Sequence, residues 1–142
     1  MMAVMSISII WGFSHDAFAE SCDSPLPNDI KVIQPSSNVP SDIAKFSGTW
    51  GNGMWAGKFC HTLIIENVIA DGTADFVYSW GTYGAWNIFE GHSRGKGKIA
   101  DGKLMMTFQN GAIVVTYWFE GEKLKGLYKR SRRTTKVTLV RK

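Results

Sequence analysis

Ile113-Val114-Val115-Thr116-Tyr117-Trp118-Phe119-Glu120-Gly121-Glu122-Lys123-Leu124-Lys125-Gly126-Leu127-Tyr128-Lys129-Arg130 decides the fold. Its first half is β-branched and aromatic, the composition that suits a pleated, half-buried surface. Glu120-Gly121 then offers a tight turn, because glycine takes positive φ without a Cβ clash. The return run alternates: Leu124, Gly126 and Tyr128 share one face, while Lys123, Lys125 and Lys129 share the other. Such a pair is an antiparallel hairpin with one buried side.

The same signal recurs along the chain. Asp71-Gly72, Asp101-Gly102 and Asn110-Gly111 are further hairpin turns, and from Phe46 onward such signals arrive at the spacing of a sandwich or barrel. Strands are expected near 46–51, 58–68, 73–80, 85–91, 93–100, 103–109, 112–119, 123–130 and 134–141. Val137 and Leu139 oppose Lys136 and Thr138, so the last strand is also one-sided. The expected fold is all-β: a small antiparallel up-and-down barrel, or a strongly curved sheet, of about 8 strands in sequence order. Leu63-Ile64-Ile65 and Ile113-Val114-Val115 are apolar on both faces, which calls for a second cover from a partner chain, the N-terminal segment or an apolar ligand.

The 142 residues, with 44% hydrophobic and 13% aromatic content, suit one domain with one core. Residues 1–19 stand apart. An apolar run from Ala3 to Phe13, followed by Ala17-Phe18-Ala19, reads as a signal peptide cleaved before Glu20, although no Lys or Arg precedes the run. Residues 20–44 form a tether containing Pro25, Pro27, Pro35 and Pro40, with one helical turn at Ser41-Asp42-Ile43-Ala44-Lys45 capped by Ser41. The barrel occupies 45–142. The protein is therefore expected to be exported, periplasmic or secreted, with no transmembrane segment in the mature chain. In an oxidising compartment Cys22 and Cys60 can close one bridge between tether and barrel.

Asp42-Ile43-Ala44-Lys45-Phe46-Ser47-Gly48-Thr49-Trp50 resembles the opening of lipocalins and their calycin relatives, and Leu124-Lys125-Gly126-Leu127-Tyr128 is similar to a strand of avidin-type barrels. The resemblance implies that Trp50 packs across the barrel floor and that Arg130 or Arg141 lies over it. The chain lacks the Thr-Asp-Tyr motif of lipocalins, and strands this short leave an interior that side chains can fill by themselves. Tyr78-Ser79-Trp80-Gly81 with Trp86 is also similar to exported domains of uncharacterised role, from which no activity is carried over.

Phe76, Tyr78 and Trp80 alternate onto one strand face, as core or as a stacking platform for sugar rings or flat apolar ligands. Trp55, Tyr83 and Trp86 fall in glycine-rich loops, where an aromatic ring that misses the core is free to bind. Glu66, mid-strand among apolar residues, needs a partner, and Arg94 is nominated to form with it a polar pair that orients a ligand. The expected pocket is lined by Glu66, Tyr78, Trp80, Tyr83, Trp86, Arg94 and Trp118. The other candidate surface is the basic C-terminal hairpin, with Lys129, Arg130, Arg132 and Arg133 and no acid from 123 to 142.

Chemistry finds no foothold in the sequence. His61 and Glu66 are five apart on a strand, on opposite faces, and the only other histidine of the mature chain is His92, so no metal site is expected. Ser79 lacks the leading glycine of a nucleophile elbow. Gly95-Lys96-Gly97 is flanked by strands and reads as a bulged strand or hairpin, with no helix N-terminus to hold phosphate. The expected function is non-catalytic binding of a small amphipathic or carbohydrate ligand through aromatic residues, without a cofactor. The alternative is a cell-envelope interaction or inhibitor protein whose basic hairpin grips an anionic lipid surface or a protein partner. Nucleic acid is disfavoured by export, although the formal charge is +4 and rises to +5 when Asp16 leaves with the leader.

Overall fold

Turn chemistry and alternation produce a closed eight-stranded barrel in strict up-and-down order. The computed structural model describes residues 22–142, so the expected signal peptide and the start of the tether lie outside the described residues. The strands are β1 (Gly48–Trp55), β2 (Phe59–Val68), β3 (Thr73–Trp80), β4 (Gly91–Ala100), β5 (Lys103–Phe108), β6 (Ile113–Glu120), β7 (Lys123–Arg130) and β8 (Arg133–Arg141). Every neighbour is antiparallel, and β1 closes on β8 through Trp50 opposite Arg141 and Gly51 opposite Val140. No helix among the described residues is long and apolar enough to cross a membrane.

Three expectations are corrected. The strand expected at 85–91 is a 3-10 turn, Gly84–Trp86, inside an 81–90 loop pinned by a Tyr83–Ile88 bridge. Asn87 there is left-handed at φ 55°, which breaks any extended run. Gly95-Lys96-Gly97 is regular strand, paired without a break to β3 from Thr73–Lys98 to Trp80–Gly91. The helical turn α1 (Ser41–Ala44) is capped at Pro40, with no side-chain cap from Ser41.

Small residues make room for large ones inside the barrel. Four inward rings each face a glycine across the ladder: His61 opposite Gly53, Phe76 opposite Gly95, Trp80 opposite Gly91 and Tyr117 opposite Gly126. A Cβ at Gly126 would sit 2.8 Å from Tyr117 Cε1 and 2.7 Å from Val137 Cγ1; one at Gly95 would sit 2.8 Å from Phe76 Cζ. The inner face of β4 is thus Gly91, Ser93, Gly95 and Gly97, the counterpart of the aromatic face of β3, and ends on the core residue Ile99.

One end is sealed. Phe46 and Trp50 pack on Phe119 with ring centroids 4.8 and 5.4 Å apart, and Trp50 Nε1 donates to Phe46 O at 2.9 Å. Arg141 lies 4.1 Å over the Trp50 ring and donates to Ser47 O and Lys45 O, each at 2.8 Å. Arg141, not Arg130, therefore covers the floor tryptophan, and its donors satisfy the backbone where α1 enters β1.

The tether is the second cover that Leu63-Ile64-Ile65 required. It runs along the outer face of β2–β3 from a Cys22–Cys60 disulfide whose Cα atoms lie 5.3 Å apart. Ser24 Oγ donates to Thr62, Ser79 Oγ to Pro25 O, Lys31 N–H to Glu66 Oε1 at 2.9 Å and Ile33 N–H to Glu66 O at 2.7 Å. Ile64, Val77, Thr62 and Ser79 on that outer face are buried in consequence. Val114 has no such cover and stays half-buried.

Two stability measurements check this account. Gly126→Ala should lower the unfolding free energy by about 1–3 kcal/mol, as overpacking does, because neither Tyr117 nor Val137 can withdraw from the new methyl. The Cys22→Ser/Cys60→Ala double variant should lose about 2–4 kcal/mol in urea unfolding, the range expected when a loop of this length is opened.

Candidate functional site

The barrel's chain path gives its two ends different character. The sealed end collects the tight 68–73, 100–103 and 120–123 connections; the other end collects the 55–59, 80–91, 108–113 and 130–133 connections. At this second end the interior is hollow, with a cavity of about 1000 Å³ that opens to solvent. Trp55, Phe59, Tyr78, Trp80, Phe108, Ile113 and Tyr128 make its apolar wall, and Trp86 and Ile88 of the 81–90 loop stand at its mouth. Arg130, Arg132 and Arg133 belong to the same cavity. The sealed half is filled by side chains, as short strands imply; the open half is not.

Trp55 owes its place to a bulge. It lies five positions after Trp50, which on a regular strand would put the two rings on opposite faces. The β1–β2 register shifts between Trp50 and Gly53, with Asn52 left-handed at φ 54°, and the extra residue turns both tryptophans inward. Trp55 is thus 1% exposed on a strand instead of projecting from a loop. Its ring lies 5.0 Å from His61, 6.0 Å from Tyr128 and 6.4 Å from Tyr78, and its Nε1 has no hydrogen-bond partner among the described residues.

Beneath Tyr78 and Trp55 lies a histidine fully out of solvent. His61 Nδ1 donates to Ser79 O at 2.7 Å, which leaves Nε2 to accept from the Tyr117 hydroxyl at 2.7 Å. Burial lowers the imidazole pKa to about 4, only partly offset by the Ser79 carbonyl. Burial also pushes the Tyr117 phenol well above its usual range, and raises that of Tyr78 with help from Tyr128. The Trp55 N–H is near enough to Tyr78 to oppose that rise in part, but the pair does not reach hydrogen-bond geometry. With every ring neutral and both histidine nitrogens engaged, the cluster has no nucleophile or free metal ligand. Among the described residues no three His, Cys, Asp or Glu side chains gather.

The structure brings together part of the expected set. Tyr78, Trp80 and Trp86 line the cavity. Tyr83 backs them, stacked on Phe59 at 6.4 Å and edge-on to Trp86 at 5.1 Å. Trp118 does not join them: it neighbours Lys103 and Lys125 on the outer face, because Tyr117 takes the inward position. Glu66 and Arg94 pair at 3.4 Å, as nominated, but outside the barrel. Glu66 shares the outer face with Thr62 and Ile64, where it accepts from the tether and Arg94 also grips Asp29 at 3.0 Å; the bulge between Ile65 and Asn67 instead returns Val68 to the interior. That pair fastens the strap and orients no ligand in the cavity.

Of the basic hairpin, Lys129 points outward beside Val114 and Thr134, while Arg130 and Arg133 face each other across β7–β8 on the inward register, with Arg132 in the turn. All three arginines are exposed, and no salt bridge among the described residues engages them. Like charges directly opposed on a ladder repel. The rim is therefore cationic and unrelieved.

Comparison with protein-family models, with curated proteins and with solved structures finds no match.

His61 makes stability depend on pH. Its folded pKa lies below the unfolded value of 6.5, so the unfolded chain binds the proton first, and stability present above pH 6.5 is lost as pH falls towards 4. The loss should reach about 3 kcal/mol, read as a falling urea midpoint. His61→Gln, which keeps a donor and an acceptor, should flatten that part of the profile.

Proposed function

We propose that the protein is a non-catalytic, calycin-like binding protein for a small amphipathic molecule carrying an anionic group. The observation that carries this reading is that aromatic walls and three unpaired arginines share one cavity. Trp55, Tyr78, Trp80 and Tyr128 offer ring faces and edges to an apolar body, each ring able to bury a large area. At the mouth Arg130 and Arg133 present forked donors that suit a carboxylate or sulfate, and an anion between them would relieve their mutual repulsion. The Cys22–Cys60 bridge is the chemistry of an oxidising compartment, which supports an exported, periplasmic or secreted protein. No group in or under the cavity has the setting of a nucleophile or general base, so binding without turnover is the simpler reading.

A second reading rests on the 81–90 loop. Trp86 is 47% and Phe89 72% exposed at the same end as the arginines, a combination that suits docking of the open rim on an anionic lipid surface. The basic tip and the aromatic loop would then serve the cell envelope, and the cavity would be incidental.

Tryptophan fluorescence separates the two, since Trp55, Trp80 and Trp86 all border the cavity. Titration with alkyl carboxylates, their matching alcohols, glycans and anionic vesicles should give saturable quenching by carboxylates in free solution. Arg130→Gln/Arg133→Gln should weaken that binding by about tenfold, the loss of one charge-assisted contact. A response to anionic vesicles alone, abolished by high salt, would replace the pocket with the envelope reading.

A further inference from the structure

The β7–β8 hairpin departs from a pattern that the rest of the barrel keeps. Every other connection between consecutive strands contains a glycine, from Gly57 after β1 to Gly121 after β6, whereas this one consists of Ser131 and Arg132. Ser131 nevertheless stands left-handed at φ 53°, a conformation that glycine takes freely and serine seldom. Side chains are thus kept where glycine would relieve the backbone, which is the form that strain takes at ligand clamps. Arg130, Ser131, Arg132 and Arg133 all line the cavity, with Thr135 two residues further along β8. Arg130 and Arg133 are partners across the ladder, which holds their Cα atoms about 5 Å apart, and Arg132 adds a third guanidinium at the tip. Among the described residues no Asp, Glu or His lines this cavity, and no salt bridge engages the three arginines.

We propose that this turn is a subsite for a phosphate monoester, so that the ligand is an amphipathic molecule with a doubly charged head group. The inference rests on the cavity reading and narrows its anionic group. A carboxylate or sulfate brings one negative charge to three arginines and leaves much of their repulsion in place. A phosphate monoester brings nearly two charges at neutral pH, and three terminal oxygens that accept strongly from guanidinium forks and hydroxyls. The turn supplies donors of both kinds: Arg130 and Arg133 across the ladder, Arg132 and Ser131 at its tip, and Thr135 beside Tyr128 on the next inward pair. The aromatic wall below would take the apolar body of the same molecule.

The test compares octyl phosphate with octyl sulfate on the intact protein by calorimetry, at about pH 5 and about pH 8, either side of the second phosphate ionisation near pH 6. The sulfate keeps one charge throughout, so a protein group that titrates in this range acts on both ligands alike. Lys58, Glu90, His92 and Lys129 are the charged or titratable groups nearest this end in sequence, and none lines the cavity; His61 beneath it, lowered to about 4, keeps its neutral form. At pH 8 the phosphate should bind about tenfold more tightly than the sulfate, the worth of an added charge-assisted contact, and at pH 5 the two should agree within about twofold. Arg132→Gln should reduce the pH 8 ratio to about twofold, and Ser131→Gly should raise the urea midpoint yet weaken the phosphate about threefold. Equal affinities at pH 8, or a preference that neither pH nor Arg132→Gln changes, overturns the phosphate subsite while leaving the aromatic cavity standing. Binding of neither octyl compound removes the cavity reading and this inference together. Inorganic phosphate and phosphatidate vesicles are the remaining arms: binding of the free ion as tightly as octyl phosphate, or a response confined to vesicles, overturns the soluble amphipathic ligand in favour of that source of phosphate.

Discussion

A ring laid against a glycine across the ladder is the contact on which this barrel depends. An eight-stranded barrel has an interior that side chains can fill or that can hold one small ligand, so where rings crowd the filled part they are matched by missing volume on the next strand. Phe76, Trp80 and Tyr117 point inward, and Gly95, Gly91 and Gly126 supply that missing volume, while Gly53 leaves room for Thr138 O and Leu139 of β8. The pattern also explains why aromatic bulk gathers on β3 while β4 is almost bare inside. Packing, more than turn choice, fixes which pairs of strands can be neighbours in register.

Closure at one end and hollowness at the other come from where the remaining bulk lies. Phe46, Trp50, Phe119, Leu124 and Leu139 fill the sealed half, with Arg141 tied over Trp50 and the incoming chain. Towards the other end the inward positions of β4 are Gly91 and Ser93, and those of β7 and β8 are Arg130 and Arg133, which turn to solvent instead of filling the interior. The tether adds stiffness from outside by covering Ile64 and Val77, so the β2–β3 wall behind Tyr78 is buried on both faces.

Hairpin turns and alternation were enough to read an all-β, up-and-down architecture, since Asp-Gly and Asn-Gly steps and the period-two faces of β3, β7 and β8 are local signals. The inward row Phe76, Tyr78 and Trp80 was legible for the same reason. What alternation cannot carry is a change of phase. The bulge after Trp50 reverses the face of the residues beyond it, so Trp55 read as a loop residue; Glu66 keeps the outer face that alternation from inward His61 assigns it, and what the sequence hid there is the tether lying on that face. Trp118 misled for a different reason: an aromatic ring beside Tyr117 on the same strand must take the other face, and here the phenol, with His61 to accept its proton, is the one that is buried.

The union of the aromatic row with the basic hairpin was the step least open to sequence reasoning, because it depends on closure. Tyr78 and Arg130 lie on strands far apart in the chain, and only in a closed barrel do β3 and β7 face one another across the same interior. Taken separately, the rings suggest an apolar or sugar ligand and the arginines an anionic surface. Joined at one mouth, they describe a gradient: exposed charge at the rim, ring faces below it, and at depth a neutral cluster with a single idle donor. Uniform hydrophobic burial would have favoured apolar residues throughout that depth, since an unpaired indole N–H costs stability that a phenylalanine would not. Trp55 nonetheless closes this wall, its ring packed among His61, Tyr78 and Tyr128.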